Sequence, residues 1–122
     1  MKFAIGSTKA GLQLKDEIAD MLREMGHDVQ DLGMKAGGEF VPYYTAAANV
    51  AGALSRGEVD QAVLVCGTGA GSVIVANKFK GVHAVAAGCE YEGSRTAIIN
   101  DANCLCLGEW LTPPQQGKEI VK

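Results

Sequence analysis

The chain has 122 residues, 48% of them hydrophobic and 20% charged, and a formal net charge of −3. This length and composition predict one soluble domain, residues 1–122, with a single hydrophobic core. The acidic balance argues against a nucleic-acid partner, and no apolar run is long enough to span a membrane. The opening segment MKFAIGS has too short an apolar core for a signal peptide, so we expect a cytoplasmic protein.

Strands and helices alternate in the first half of the chain. Residues 2–5 predict a strand, followed by the turn GSTKAG. A helix that stops near Gly26 is then predicted by apolar residues at helical spacing, namely Leu12, Leu14, Ile18, Met21, Leu22 and Met25. Residues 28–32 predict a second strand, and the long glycine-rich loop after it suggests a functional role. Residues 45–54 predict a helix capped by Thr45.

The second half continues the alternation. Strands are predicted at 61–65, 82–87 and 104–107, with helices at 72–79 and 90–99 and a helix start at Thr112–Pro113. Strand–helix alternation with nearly continuous apolar strands predicts an α/β fold with a five-stranded parallel sheet covered on both faces. Ligands bind beyond the carboxyl ends of such strands, where GSTKAG, CGTGAG and GCEYEG fall.

The segment CGTGAG is the strongest functional candidate. Cys66 stands where a buried strand ends, and three glycines follow within five residues. Backbone amides left free in such a turn can hold an anion, and the same setting favours a cysteine thiolate. Cys66 is therefore a candidate base, with the amides of residues 67–71 stabilising an oxyanion. The alternative is an ordinary glycine-rich turn with a small buried cysteine.

Other residues are weaker candidates. Lys9, in the first turn, either meets an anionic substrate or is simply solvated, and Tyr43 either lines a pocket or packs. Asn100 and Asn103 either close a turn through their side chains or face the ligand. Buried, reduced thiols are expected at positions 104 and 106. No cluster of His, Asp and Glu predicts a metal, and no motif predicts a cofactor.

The ordered segments IGSTKAGLQLKDEI, SRGEVDQAVLVCGTGAGSVIVANKFKG and INDANCLCLG resemble the family of ribose 5-phosphate isomerase B and galactose 6-phosphate isomerase. The resemblance implies a Rossmann-like three-layer α/β/α sandwich. It also implies a metal-free and cofactor-free aldose–ketose isomerase that acts on a sugar phosphate through a cis-enediolate. Members form homodimers or tetramers with their sites at the subunit interface.

The resemblance assigns roles to residues of this chain. Cys66 matches the catalytic base, Thr68 the threonine beside it, and the amides of residues 67–71 the anion hole. The substrate-binding residues expected on this basis are Ser7, Thr8, Lys9, Tyr43, Gly67, Gly69, Ala70, Gly71 and Asn100.

Departures from the family pattern concern the substrate. STKAG replaces SDHAG, so an acid and a histidine become Thr8 and Lys9, and Trp110 replaces a phosphate-binding arginine. The histidine that opens the sugar ring has no counterpart, which favours a substrate other than ribose 5-phosphate, such as a four-carbon sugar phosphate that stays open. Two alternatives remain: a non-catalytic sugar-phosphate-binding subunit of a hetero-oligomeric isomerase, and a small-molecule-binding domain of unrelated chemistry.

Overall fold

The computed structural model describes residues 1–112 and 114–121. Within them the strands are β1 Lys2–Ser7, β2 Asp28–Asp31, β3 Gln61–Cys66, β4 Ala84–Ala86 and β5 Cys104–Gly108. The helices are α1 Leu12–Glu24, α2 Tyr43–Ser55, α3 Ala70–Ala76, α4 Glu90–Asn100 and α5 Pro114–Val121, with a 3-10 turn at Lys9–Gly11. No helix in these ranges is long and apolar enough to cross a membrane.

The five strands form one parallel sheet in the order β2-β1-β3-β5-β4. Side chains alternate between its faces, so Ala4 and Leu64 pack under α2 and α3, whereas Ile5 and Val63 pack under α1 and α5. Apolar strands buried on both faces explain why this sequence builds a covered parallel sheet. The arrangement confirms the predicted α/β fold with five parallel strands.

Helix α2 corrects the predicted helix start. It begins at Tyr43, so Thr45 lies in its first turn and is not its cap. Pro42 takes the cap position with an extended backbone (φ −62°, ψ 155°), and its carbonyl accepts the amides of Thr45 and Ala46. The fixed φ of proline prepares the chain for the helix without a side-chain cap.

Helix α3 begins and ends earlier than predicted, strand β4 is shorter than predicted, and asparagine side chains bond the backbone beside both elements. Asn77, just after α3, donates to the carbonyl of Ala84 and accepts its amide, at 2.9 and 2.7 Å. Asn103 accepts the amide of His83 and donates to the carbonyl of Gly81. Asn103 thus closes a turn, which was one of its two predicted roles. The predicted helix start at Thr112–Pro113 is shifted to Pro114; Pro113 lies outside the described residues.

The strand order determines which loops meet at the carboxyl edge of the sheet. Strand β3 is central, with β1 on one side and β5 on the other. The loop after β3 therefore lies between the turn after β1, residues 8–11, and the turn after β5, residues 109–112. This placement brings CGTGAG and GSTKAG together, as expected for a ligand site of an open parallel sheet.

Candidate active site

The thiol of Cys66 lies at the base of the glycine loop. Cys66 is the last residue of β3 and is buried, and its Sγ accepts a hydrogen bond of 3.1 Å from the amide of Gly69. Gly69 has a φ of +92°, a left-handed conformation that glycine adopts without steric cost, and this turns its amide back towards the sulfur. This hydrogen bond fixes the position of the sulfur at the base of the glycine loop.

Two aromatic rings pack against glycines of the same loop. A Cβ atom on Gly67 would lie 2.6 Å from a ring carbon of Trp110, and one on Gly71 would lie 2.6 Å from the Tyr43 ring. Side chains at these two positions would displace the rings, which explains the glycines. Trp110 is 72% exposed and Tyr43 is 43% exposed, so both rings also face the solvent at the mouth of the loop.

Thr68 lies between those two glycines at the exposed tip of the loop. Its Oγ1 accepts a hydrogen bond of 3.3 Å from the amide of Ala70. That contact fixes the oxygen and leaves the hydroxyl hydrogen available to a bound oxygen atom.

The turn after β1 lies against the end of β3. Gly11 approaches Val65 so closely that a Cβ on it would lie 2.7 Å from the Val65 carbonyl carbon. Ser7 is buried, and its hydroxyl has no hydrogen-bond partner among the described residues. Thr8 is half-buried, and Lys9 is exposed with its amine unpaired within the same part of the chain. The turn therefore offers a hydroxyl and a cation next to the Cys66 loop.

The turn after β5 is attached to the Cys66 loop through the backbone. The amide of Glu109 donates to the carbonyl of Cys66 at 2.9 Å, and the amide of Trp110 donates to the carbonyl of Gly67 at 3.0 Å. The Glu109 carboxylate accepts the amide of Leu14 at 2.8 Å. No sequence motif predicted this role for Glu109, and its signal was an acidic residue directly after a buried strand.

Asn100 is not near Cys66 of the same chain. It is the exposed last residue of α4 and precedes β5, whose first residue Cys104 pairs with Ala62 at the amino end of β3. Cys66 pairs with Gly108, four residues further along β5, which corresponds to a distance of roughly 13 Å along the sheet.

Both histidines also belong to the amino edge. His27 precedes β2, with its ring 5.1 Å from that of Phe3, and His83 precedes β4. Neither histidine therefore reaches Cys66 within the protomer. No group of His, Cys, Asp and Glu in the described residues is arranged to hold a metal ion.

The other buried thiols differ from Cys66. Cys104 and Cys106 lie on the face of the sheet that packs against α2 and α3, and no cysteine is in a disulfide. A hydrogen bond with Cys104, together with burial, raises the pKa of the Cys106 thiol well above its ordinary value. Cys106 therefore keeps its proton, and Cys66 is the buried thiol at the carboxyl edge of the sheet.

Comparisons with known proteins agree with this geometry. The family model described as ribose/galactose isomerase matches residues 3–122. A 4-deoxy-4-sulfo-D-erythrose isomerase of Clostridium sp. (strain MSTE9) is 38% identical over 122 residues, covering 100% of this chain and 77% of that protein. A D-erythrulose-4-phosphate isomerase 2 of Mycolicibacterium smegmatis is 35% identical over 124 residues, covering 100% and 82%. The structure of Clostridium thermocellum ribose-5-phosphate isomerase B superposes with a TM-score of 0.94 at 40% identity, covering 99% of this chain and 81% of that one.

Proposed function

The chain belongs to the ribose/galactose isomerase family, and on that premise we propose that it is a cytoplasmic aldose–ketose isomerase of a small sugar phosphate. The observation that carries the proposal is the Cys66 thiol, held by the Gly69 amide at the base of the glycine loop. A base next to a row of backbone amides is the arrangement that enolisation of a sugar requires.

In the proposed reaction the Cys66 thiolate removes the proton from the carbon next to the substrate carbonyl. The electron pair of that C–H bond forms the C=C bond of a cis-enediolate, and the carbonyl electrons move onto oxygen. The amides of Gly67, Thr68 and Gly71 and the Thr68 hydroxyl stabilise the resulting negative charge. The amides of Gly69 and Ala70 already bond Cys66 and Thr68, which narrows the predicted anion hole. The hydroxyl proton of the enediolate then passes from its oxygen to the former carbonyl oxygen, and Cys66 returns its own proton to the former carbonyl carbon. The C=C electron pair forms the new C–H bond, and the carbonyl has moved by one position.

We further propose that the substrate has four carbons and a charged terminal group. Two relatives are named as isomerases of 4-deoxy-4-sulfo-D-erythrose and D-erythrulose 4-phosphate. A tetrose whose terminal oxygen is phosphorylated cannot close a five-membered ring, so it needs no acid or base to open one. The position of both histidines at the far edge of the sheet supports such an open-chain substrate. Lys9 then supplies a cation for the anionic terminus.

Asn100 is proposed to complete the site of a neighbouring subunit in a homodimer or tetramer. It is too far from Cys66 of its own chain to share a substrate with it. The residues before it, Ile98 and Ile99, are 70% and 71% exposed, as expected for apolar side chains that a second subunit covers. In this proposal the sites lie at the subunit interface.

Solvent deuterium exchange read by proton NMR tests the proposal. The protein, Cys66→Ala and the control Cys89→Ala are incubated in deuterium oxide with open-chain and cyclic C4 to C6 sugars and sugar phosphates. Cys89 is an exposed cysteine in another loop, so we expect Cys89→Ala to behave as the parent protein. Deuterium should enter next to the carbonyl of a four-carbon sugar phosphate and be lost in Cys66→Ala.

Two other outcomes contradict parts of the proposal. Exchange restricted to ring-forming pentose phosphates would remove the four-carbon substrate and leave the isomerase. No exchange with any sugar would instead favour a binding subunit without its own activity.

A further inference from the structure

The turns on the two sides of the Cys66 loop differ in charge. On the side of β1, the turn at the carboxyl edge contains Lys9, and the loop after β2 contains both Lys35 and Glu39. On the side of β5 and β4, the corresponding segments begin with Glu109, Glu90 and Glu92. An anionic group bound at this edge therefore meets a cation, Lys9, in the turn after β1 and no cation in residues 109–112 after β5.

On the β5 side the site ends at a neutral aromatic ring. The indole of Trp110 packs on Gly67, and the backbone hydrogen bond between these two residues fixes the turn that carries it. An indole provides one N–H donor and no charge, and the next residue on the turn, Glu109, is an acid. A phosphate or sulfonate placed here would gain no cation.

We propose that Trp110 is a specificity-determining residue that closes the β5 end of the site. The substrate then lies across the strand ends, with its anionic terminus towards Lys9 and its carbonyl end against the indole. This inference rests on the proposed function and deepens it, because it assigns each end of the substrate to one side of the sheet.

The position of the ring also limits substrate length. Strands β1 and β5 both neighbour β3, so their ends are only about 10 Å apart. With the anion held on the β1 side, a longer sugar must extend towards β5, where the indole stands. Removing the ring should therefore admit one more carbon and remove the apolar contact that a shorter substrate makes.

Kinetics with D-erythrulose 4-phosphate and D-ribulose 5-phosphate test the inference. For Trp110→Ala we expect the ratio of the two kcat/KM values, four-carbon over five-carbon, to fall by about tenfold, the usual range for one methylene group in a pocket. Trp110→Phe keeps an aromatic ring, so its ratio should stay within about threefold of the parent value.

Leu111→Ala is the matched control, since Leu111 is the next residue on the same turn and is equally exposed at 72%. We expect it to leave the ratio unchanged. The inference is overturned if Trp110→Ala changes both kcat/KM values by the same factor, or if Leu111→Ala shifts the ratio as strongly.

Intrinsic fluorescence separates this inference from the proposed function, because Trp110 is the one tryptophan in the chain. Titrating Cys66→Ala with D-erythrulose 4-phosphate should change the emission saturably, since substrate contacts the ring without turning over. If the parent protein isomerises no sugar, the proposed function fails. The fluorescence titration alone then tests whether Trp110 lines the binding site. A saturable change then supports the ring as a wall of the binding site, and an unchanged spectrum overturns it.

Discussion

The Glu109 carboxylate accepts a hydrogen bond of 2.8 Å from the backbone amide of Leu14, and this joins the end of β5 to the first turn of α1. The first amides of a helix have no partner within it, and a carboxylate there also interacts favourably with the helix dipole. The same short turn holds Trp110 over Gly67. One side chain thus connects the stability of α1 to the geometry of the candidate site.

Removing the Glu109 carboxylate should affect both the stability of α1 and the geometry of the candidate site. We expect Glu109→Ala to lower the free energy of unfolding by about 1 kcal/mol, the usual value of a helix-capping side chain, and to raise KM as the Trp110 turn loosens. Glu109→Gln keeps a hydrogen-bond acceptor and should lower the free energy of unfolding by a smaller amount. Urea denaturation and steady-state kinetics measure the two effects. Glu39→Ala, at an exposed loop position, is the control, and an equal loss in that variant would contradict the assignment.

The buried ion pair of Lys15 gives a second prediction. Its side chain is fully buried, and its Nζ lies 2.5 Å from carboxylate oxygens of both Asp31 and Asp16. Asp31 also accepts the amide of Gly33. Asp31→Ala leaves the ammonium with one half-exposed partner, so we expect a loss of about 3 kcal/mol in the free energy of unfolding.

Two further variants make this prediction specific. Lys15→Met combined with Asp31→Leu removes both charges and should recover most of the loss, because no charge is then left unpaired in the core. Asp20→Ala breaks only an exposed pair with Arg23, for which we expect about 0.5 kcal/mol or less. The interpretation is wrong if the double variant is as unstable as Asp31→Ala in urea denaturation.

The strands and the glycine loop were predictable because their signals are local. A buried parallel strand is a short apolar run, and a glycine-rich turn after it is visible as CGTGAG. The helix start at Tyr43 was not predicted, because Thr45 is a good cap by residue type and the chain uses Pro42 instead. Residue preferences describe many possible caps, and the path of the loop selects one of them.

Contacts between residues far apart in the sequence could not be predicted from local sequence signals. The contact between Trp110 and Gly67 joins two loops through the order of β3 and β5, which alternation alone does not specify. Asn100 was expected at the site from its motif, yet the topology places it at the opposite edge of the sheet. A role for Asn100 at the site therefore requires the second subunit that we propose.

Stability should depend on Cys106 at alkaline pH. The hydrogen bond with Cys104 and burial raise the pKa of Cys106 above its ordinary value of 9.0 in the folded protein. The unfolded chain therefore loses this proton first, and the contribution to stability is complete below about pH 9 and is lost as the pH rises towards the folded-state pKa. Urea midpoints measured between about pH 8 and pH 10 should fall more steeply for the parent protein than for Cys106→Ala.

The slopes of the urea midpoint against pH are compared, and not its absolute values. Cys106→Ala also leaves a small cavity, which lowers stability at every pH. Cys89→Ala is the control, because Cys89 is exposed and its removal should leave the slope unchanged. Parallel curves for the parent protein and Cys106→Ala would contradict the prediction.

Mixed subunits test whether Asn100 acts in a neighbouring site. Cys66→Ala and Asn100→Ala should each be inactive, because each lacks one component of every site. A purified hybrid dimer, one subunit of each kind with different tags, contains one site with Cys66 from one chain and Asn100 from the other. We expect this hybrid to have about half the parent activity, since one of its two symmetric sites is complete. A tagged pair of Cys66→Ala subunits should stay inactive. An inactive hybrid, or an active Asn100→Ala variant on its own, would show that Asn100 does not complete the partner's site.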